Sequence, residues 1–352
     1  MNPDAPLGER LAAAIQAAGP IPVAHYMAVA NTHYYGTRDP LGADGDFITA
    51  PEISQMFGEL IGLWLADGWL RAGKPECLYV ELGPGRGTLA ADALRAMATV
   101  GLTPPVHLVE NSSVLRAKQA ERLPQAEWHD SIDSIPADKP ILCVANEFFD
   151  ALPIHQVVRA ADGWRQRVVS AGGGRFAAGA GPLVPPEIIP EHLRDAAEGA
   201  LVETSPAAVT TMRALASAIA RQGGVAAVID YGYEGPKAGE TLQAVKAHRF
   251  ADPFEEPGER DLTAHVDFAT LSAMAELCDA RVQGPVGQGE WLMRLGLAER
   301  ATALAEVAPD KAADLKSEVA RLASGEAMGR LFKVMALRGP FWPEADGFGG
   351  TA

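Results

Sequence analysis

The sequence predicts an α/β fold with a mostly parallel, doubly wound sheet, and three observations support this prediction. From residue 77 onward, short apolar runs alternate with helical segments, as in parallel strands joined by crossover helices. A glycine-rich loop follows the first of these runs directly. Polar and acidic residues follow several of the later runs, at the strand ends where open parallel sheets bind ligands.

Length and composition limit the possible classes of protein. The 352 residues fit one large domain with insertions or two unequal domains, and 48% hydrophobic with 21% charged residues is an ordinary globular balance. The formal net charge of -15 opposes a polyanionic partner, so no nucleic acid is expected. The longest uncharged stretch, 11–37, is broken by glycine, proline and polar residues, so membrane insertion is not expected either.

Cysteine spacing and the first residues bear on the compartment. Cys77, Cys143 and Cys278 lie far apart, which argues against a disulfide framework and favours a reducing environment. The N-terminal residues include Asp4 and Glu9 and lack an Arg-rich run or a long apolar segment, so no targeting peptide is visible. A cytoplasmic location, as in a bacterium, is therefore expected.

Residues 1–72 are predicted to form a helical N-terminal segment that closes a pocket on the following core. Apolar residues recur at helical spacing in 8–18 and 54–71, and 34–46 is predicted to be a loop between them. The run from Thr49 to Glu52 has the pattern of a capping box with an early proline, so a helix is expected to begin there.

The core is predicted to occupy 73–153 and 201–352. Between these parts, 154–200 is predicted to be an inserted hairpin region that turns at Asp162-Gly163, and 233–262 a loop on the substrate side. Beyond Arg338 the chain is predicted to fray. The predicted core strands are 78–82, 106–109, 127–129, 141–145, 225–229 and 331–337, and the late helices are 267–278, 290–299 and 309–322.

The glycine-rich loop is the candidate cofactor site, because glycines let the backbone turn sharply and approach a ligand closely. Gly87 follows Gly85 by two residues, whereas a dinucleotide fingerprint has its third glycine one position later, where Thr88 stands. Glu81 would repel a pyrophosphate but attract the ammonium and sulfonium groups of S-adenosylmethionine. The loop, which also contains Gly83, therefore favours S-adenosylmethionine over NAD.

Acidic residues follow the next two strands. Glu110, 23 residues after Gly87, can accept hydrogen bonds from both ribose hydroxyls, although NAD sites use the same arrangement. Asp130 follows the third strand and can accept a hydrogen bond from the adenine amino group. The alternative interpretation is that Glu81 and Glu110 are surface residues and that the glycines form only a tight turn.

The segment 146–153 follows the fourth strand and is the candidate reaction centre. Glu147 and Asp150 can hold a cationic or amine nucleophile, although Asp150 can equally be a helix cap. Glu203, next to an apolar run, and Tyr231, at the end of the fifth strand, are further candidates for contact with the substrate.

Metal catalysis is not expected from the histidine spacing. His155, His248 and His265 are not paired at ligand spacing, and no cysteine pair lies near them in the sequence. A serine-nucleophile motif is also absent.

Together these motifs resemble the MidA-type methyltransferases, a family that includes a mitochondrial protein arginine methyltransferase required for complex I assembly. The resemblance covers about 34–337 and rests on 45–59, 81–87, 146–153 and 261–268. It implies a class I methyltransferase core and S-adenosyl-L-methionine as donor. It also implies dimethylation of an arginine on a peripheral-arm subunit of complex I, the NADH:quinone oxidoreductase.

The resemblance adds the segment from Thr49 to Gln55 as a part of the pocket. This chain departs from the better-known arginine methyltransferases at Glu147. Those enzymes hold the guanidinium between two glutamates on one loop, whereas here Glu147 is followed only by Asp150. The open alternatives are a small-molecule methyltransferase, a non-catalytic assembly factor that binds the cofactor, and a disfavoured NAD-dependent dehydrogenase; a homodimer is compatible with each. The expected cofactor-binding residues are Thr49, Pro51, Gln55, Glu81, Gly83, Gly85, Gly87, Glu110, Asp130 and Asn146.

Overall fold

A computed structural model describes residues 5–39, 48–246 and 249–349. The helices are α1 (Leu7–Ala18), α2 (Val23–Thr37), α3 (Ala50–Ile53), α4 (Gln55–Arg71), α5 (Thr88–Ala98), α6 (Ser113–Arg122), α7 (Pro206–Gln222), α8 (Phe268–Leu277), α9 (Gln288–Arg294), α10 (Leu297–Val307), α11 (Ala312–Ala323) and α12 (Met328–Leu331). The strands are β1 (Ile21–Pro22), β2 (Leu78–Leu82), β3 (Val106–Val109), β4 (Glu127–His129), β5 (Ile141–Asn146), β6 (His155–Ala160), β7 (Gly163–Gly172), β8 (Arg175–Leu183), β9 (Leu201–Thr204), β10 (Gly224–Tyr233), β11 (Gln243–Lys246), β12 (Arg249–Ala251), β13 (Asp261–Thr263), β14 (Val266–Asp267), β15 (Arg281–Gly287) and β16 (Phe332–Arg338).

The chain divides into two compact units. The first unit comprises residues 1–47, 150–210 and 235–267, and the second comprises 48–149, 211–234 and 268–352. Each unit has its own hydrophobic core.

The second unit contains the predicted α/β sheet, with strands in the order β15-β16-β10-β5-β2-β3-β4. From β10 to β4 all neighbouring strands are parallel, whereas β16 is antiparallel to both β10 and β15. On one side of the sheet centre, β2, β3 and β4 lie in the order in which they occur in the chain. On the other side, β5 is followed outward by β10, which comes later in the chain. The topological switch point therefore lies between β2 and β5, where ligands of doubly wound sheets bind. The predicted α/β fold is confirmed.

Burial explains why the central strands were recognisable in the sequence. Every residue of β2 and β5 is buried, so these strands appear as nearly continuous apolar runs. The two conspicuous exceptions are Glu81 in β2 and Asn146 in β5, which place polar groups in the buried centre of the sheet.

The capping box predicted at Thr49 does not form. The helix there is only the four-residue α3, and the Thr49 side chain makes no capping hydrogen bond. Glu52, which the box requires, instead accepts a hydrogen bond from Thr88 Oγ1 at 2.5 Å. The long helix α4 begins at Gln55, and the Ser54 hydroxyl caps it by accepting from Met56 N at 3.2 Å.

Helix α4 packs closely on α5 because two of its glycines face that helix. A Cβ atom on Gly62 would lie 2.4 Å from the Ala93 carbonyl oxygen, and one on Gly58 would lie 2.7 Å from Asp92 Cβ. This close contact joins the segment before the sheet to the helix that follows the glycine-rich loop.

Three local predictions differ from the structure. Part of the loop predicted at 34–46 belongs to α2, which extends to Thr37, and residues 40–46 lie outside the described residues. The helix predicted at 290–299 is two helices separated at Gly296, whose φ of 94° breaks the helix. Strand β15 was missed because its pairing shifts register between Gln283 and Val286, which interrupts the alternating pattern.

The described C-terminal tail packs on the core instead of fraying. Trp342 is only 8% exposed, and Trp64 Nε1 donates to the Asp346 carbonyl oxygen at 2.9 Å. The Phe348 ring lies 6.3 Å from the Trp64 ring in an edge-on arrangement. Burial of these aromatic rings offsets the entropy cost of ordering a tail that is rich in glycine and proline.

The first unit contains the hairpin predicted within 154–200. Strands β6 and β7 pair antiparallel up to Ala160 and Gly163, as predicted for a turn at Asp162-Gly163. Strands β1 and β8 flank β7, and β9 flanks β6. The segment 233–262 is not only loop, because β11 pairs with β12 and β13 in a second sheet of short strands.

Two findings concern the cysteines and the helices of the described residues. Cys77, Cys143 and Cys278 are all free thiols. No helix in 5–39, 48–246 or 249–349 combines the length and apolar character needed to cross a bilayer.

Candidate functional site

The glycine-rich loop leaves β2 at the switch point and leads into α5. Gly83, Gly85 and Gly87 all have positive φ, at 60°, 54° and 75°. The Gly87 amide donates to the Pro84 carbonyl oxygen at 2.8 Å, which closes the turn in front of α5. A Cβ on Gly83 would lie 2.8 Å from Phe148 Cδ2, so glycine is required there by both backbone conformation and space.

We expect Gly83→Ala to weaken S-adenosylmethionine binding by at least about tenfold and to destabilise the fold by about 1–3 kcal/mol, because the new methyl group displaces Phe148 and strains the backbone. Calorimetric titration and thermal unfolding measure the two effects. Gly101→Ala is the matched control, since Gly101 has a φ of 83° but open space around a Cβ. Equal cofactor affinity in the two variants would argue against a ligand at this loop.

Glu81 is a buried carboxylate beside the loop. It is 2% exposed, and burial raises its pKa to about 7, although the Tyr79 hydroxyl opposes that shift by donating to Oε2 at 2.6 Å. A buried acid with a raised pKa gains from a neighbouring cation, because the cation favours its ionised form.

Glu110, at the end of β3, is linked to the loop through Gln119. The Glu110 carboxylate accepts from Ser112 N at 2.8 Å and from Gln119 Nε2 at 3.2 Å, and burial raises its pKa. Gln119 Nε2 also donates to the Gly85 carbonyl oxygen at 2.7 Å, and its Oε1 accepts from Trp128 Nε1 at 2.8 Å. Gln119 was not predicted as a site residue; its position four residues after Leu115, on the buried face of α6, was the available signal.

Asp130 follows β4 and turns toward α6. Its side chain is 87% exposed and pairs with Arg116 at 2.6 Å. Arg116 also donates to the carbonyl oxygens of Glu110 and His129, so it connects the ends of β3 and β4. The adenine contact of Asp130 stays a prediction.

The segment from Thr49 to Gln55 reaches the end of β5 through its backbone. The Ala50 amide donates to Glu147 Oε1 at 3.3 Å. Thr49 and Pro51 flank Ala50 and are half-buried, whereas Gln55 is exposed at the start of α4. The backbone of this segment is therefore the part that contacts a candidate catalytic residue.

Glu147 and Asn146 lie at the carboxyl end of β5. Glu147 has a φ of 49°, which is strained for a residue with a side chain, and its amide donates to the Ile229 carbonyl oxygen at 2.9 Å. Asn146 Nδ2 donates to Glu147 Oε1 at 3.3 Å. Asn146 Oδ1 is buried and has no hydrogen-bond partner, so it is an acceptor suited to a ligand.

Tyr231 lies at the end of the neighbouring strand β10. Its ring contacts Phe332 edge-on at 5.3 Å between centroids, and its amide donates to Asp230 Oδ1 at 3.0 Å. Asp230 is fully buried and also accepts from Phe149 N at 2.9 Å. Asp230 thus ties the end of β10 to the residues that follow β5.

Asp150 and Glu203 belong to the first unit. Asp150 is buried, and its carbonyl oxygen accepts from Ala264 N at 2.9 Å. The Glu203 carboxylate accepts from Gln156 Nε2 at 2.7 Å, from the Thr241 amide at 3.1 Å and from the Thr241 hydroxyl. These bonds anchor the chain before β11 to β9; the substrate contacts predicted for both acids stay predictions.

The sequence and the structure are similar to known methyltransferases. Residues 60–286 match a family model described as "Putative S-adenosyl-L-methionine-dependent methyltransferase". "Protein arginine methyltransferase NDUFAF7, mitochondrial" of Danio rerio is 37% identical over 94% of this chain and 86% of its own length. "Protein arginine methyltransferase NDUFAF7 homolog, mitochondrial" of Drosophila melanogaster is 36% identical over 94% of this chain and 84% of its own length.

Structural similarity extends over nearly the whole chain. A crystal structure from Burkholderia thailandensis, bound to S-adenosyl-homocysteine, has a TM-score of 0.88 and 30% identity and covers 98% of this chain and 94% of its own. The expected cytoplasmic location is contradicted, because the curated relatives are named as mitochondrial proteins. That expectation rested on the spacing of the cysteines and on the charge and hydrophobicity of the first residues.

Proposed function

Because the chain belongs to this family of S-adenosyl-L-methionine-dependent methyltransferases, we propose that it dimethylates an arginine of a protein, on a subunit of respiratory complex I (NADH:quinone oxidoreductase). S-adenosyl-L-methionine is the methyl donor of the family, in agreement with the glycine spacing and Glu81. The protein substrate is proposed from the similarity to relatives named protein arginine methyltransferases, which extends over 94% of this chain.

The residues around the glycine loop fit this cofactor. Glu81 and Glu110 are both acids whose pKa burial raises, and a cationic ligand with a ribose compensates their burial better than a pyrophosphate does. Asn146 Oδ1 supplies an unpartnered buried acceptor, and the left-handed backbone of Gly83 turns the loop directly beside the Phe148 ring. We therefore propose that Gly83, Glu81, Glu110 and Asn146 hold the cofactor.

When bound, S-adenosyl-L-methionine supplies an electrophilic methyl group. The protein has to orient the acceptor guanidinium and take up its proton, and a carboxylate does both through charge-assisted hydrogen bonds. We assign this role to Glu147. The hydrogen bonds from Ala50 N and Asn146 Nδ2 to Oε1 hold its carboxylate in position, and the strained backbone is of the kind found at reaction centres.

The substrate proposal is tested by incubating the protein with radiolabelled S-adenosyl-L-methionine and the unmodified peripheral arm of complex I. We expect label on one subunit, released as dimethylarginine after hydrolysis. In a parallel incubation with a cell extract, label found only in small molecules would favour the metabolite methyltransferase. No transfer by a protein that binds the cofactor would favour the non-catalytic assembly factor.

A further inference from the structure

Three side chains with metal-ligand chemistry meet on β3 and β4 of the sheet. His107 of β3 is paired in register with Glu127 of β4, and Val109 is paired with His129. Since alternate residues of a strand face the same side, His107, Glu127 and His129 lie on one face of the sheet. Their nearest ligand atoms all lie within 4.8 Å of one another.

The distances lie within about 0.5 Å of those around a tetrahedral ion with short bonds. His107 Nδ1 lies 2.9 Å from His129 Nε2 and 3.9 Å from Glu127 Oε2. Bonds of about 2.1 Å at tetrahedral angles separate ligand atoms by about 3.4 Å, which falls between these two values. Glu127 is 72% exposed, so its side chain can move to close the longer distance, whereas His107 is 3% exposed and held in the sheet.

The hydrogen bonds around His129 set its tautomer for ligation. The Ser134 hydroxyl donates to the Ser131 carbonyl oxygen at 2.9 Å, so its proton is already engaged. His129 Nδ1, 3.1 Å from Ser134 Oγ, must then carry the proton and donate. This leaves the lone pair on Nε2, which faces His107 and Glu127, and an outer hydrogen bond of this kind orients most metal-bound histidines.

We propose that His107, Glu127 and His129 bind a zinc ion, with water as the fourth ligand on the exposed side of Glu127. Two imidazole nitrogens and one carboxylate oxygen are ligands that zinc favours. In the absence of metal, His107 Nδ1–H donates to His129 Nε2; on binding, His107 takes the tautomer with its proton on Nε2 and coordinates through Nδ1.

The ion has a structural role at the edge of the sheet. β4 has three residues, stands last in the strand order and, within the described residues, pairs with β3 alone. A bond between side chains of β3 and β4 stabilises this short strand, which directly precedes Asp130. The histidines weighed as ligands from the sequence were His155, His248 and His265, of which His248 lies outside the described residues. His107 and His129 are 22 residues apart and meet only through strand pairing.

The proposal is tested by titrating untagged, chelator-treated protein with Zn²⁺ in a calorimeter and with Co²⁺ in an absorption spectrometer. We expect one equivalent to bind per chain, with cobalt absorption bands typical of tetrahedral coordination and an increase in thermal stability. Glu127→Gln and His129→Gln are expected to weaken binding by at least about 100-fold, and Ser134→Ala, which removes only the outer hydrogen bond, by about tenfold.

A folding defect is not expected in Glu127→Gln, because the Glu127 side chain is exposed and its substitution leaves the sheet core unchanged. His25→Asn, at an exposed histidine of α2, is the control and should bind like the wild type. The proposal is overturned if the wild type shows no saturable binding, or if Glu127→Gln and His129→Gln bind zinc as tightly as the wild type.

Discussion

Glu147→Gln is expected to lower the turnover number of methyl transfer by at least about 100-fold, with little change in S-adenosyl-L-methionine affinity. Glutamine keeps the size of the side chain and an oxygen that can accept from Ala50 N and Asn146 Nδ2. It removes the negative charge that we assign to orienting the guanidinium and taking up its proton. The loss should therefore appear in kcat, measured with the labelled donor, and not in the calorimetric affinity for the cofactor.

Two further variants sharpen this test. Glu121→Gln makes the same chemical change on an exposed position of α6 and should leave turnover unchanged. Glu147→Gly should also abolish transfer, yet change the free energy of unfolding by less than about 1 kcal/mol, because relief of the left-handed backbone offsets the extra entropy of glycine in the unfolded chain. Wild-type turnover in Glu147→Gln would remove this residue from the proposed mechanism.

S-adenosyl-L-methionine affinity is expected to fall about tenfold for each pH unit below about 7. Burial raises the pKa of Glu81 to about 7, so the carboxylate is protonated below that pH in the free protein. A bound cation favours the ionised form, and binding at low pH must therefore release a proton. Calorimetry in buffers of different ionisation enthalpy, between about pH 5.5 and 8, measures both the affinity and the proton release.

Stability without the cofactor should change with pH in the opposite sense. The folded pKa of Glu81 lies above the ordinary glutamate value of 4.5, so the folded state binds more protons between these two pH values. The contribution of Glu81 is fully present below about pH 4.5 and is lost as the pH rises through about 7, on the order of 3 kcal/mol at 1.36 kcal/mol per pKa unit.

Two variants separate Glu81 from other titrating groups. Glu81→Gln should flatten the pH dependence of cofactor affinity and raise the free energy of unfolding near pH 8. Tyr79→Phe removes the hydroxyl that lowers the pKa of Glu81, so the midpoint of the affinity profile should move to higher pH. An unchanged profile in Glu81→Gln would assign the pH dependence to another group.

Most of the central sheet could be predicted, because β2, β3 and β5 are buried on both faces and appear as short apolar runs. The strands at 106–109 and 127–129 were predicted with the bounds that the structure has. β15 was not predicted, because its register shift interrupts the alternating pattern. The packing of the tail was not predicted either, because its Phe348 ring contacts Trp64 and Trp291, which are far away in the sequence.

Some features of the candidate site could likewise be predicted from the sequence, and others could not. The sequence by itself determined the glycine loop, the acids at the strand ends and the cofactor class, because these depend on spacing within single strand–loop–helix segments. Only the tertiary structure decided that Gln119 joins Gly85 to Glu110, that Glu52 bonds Thr88, and that His107 lies beside His129. Such contacts depend on which strands and helices become neighbours, and side-chain hydrogen bonds between distant residues leave no periodic pattern in the sequence.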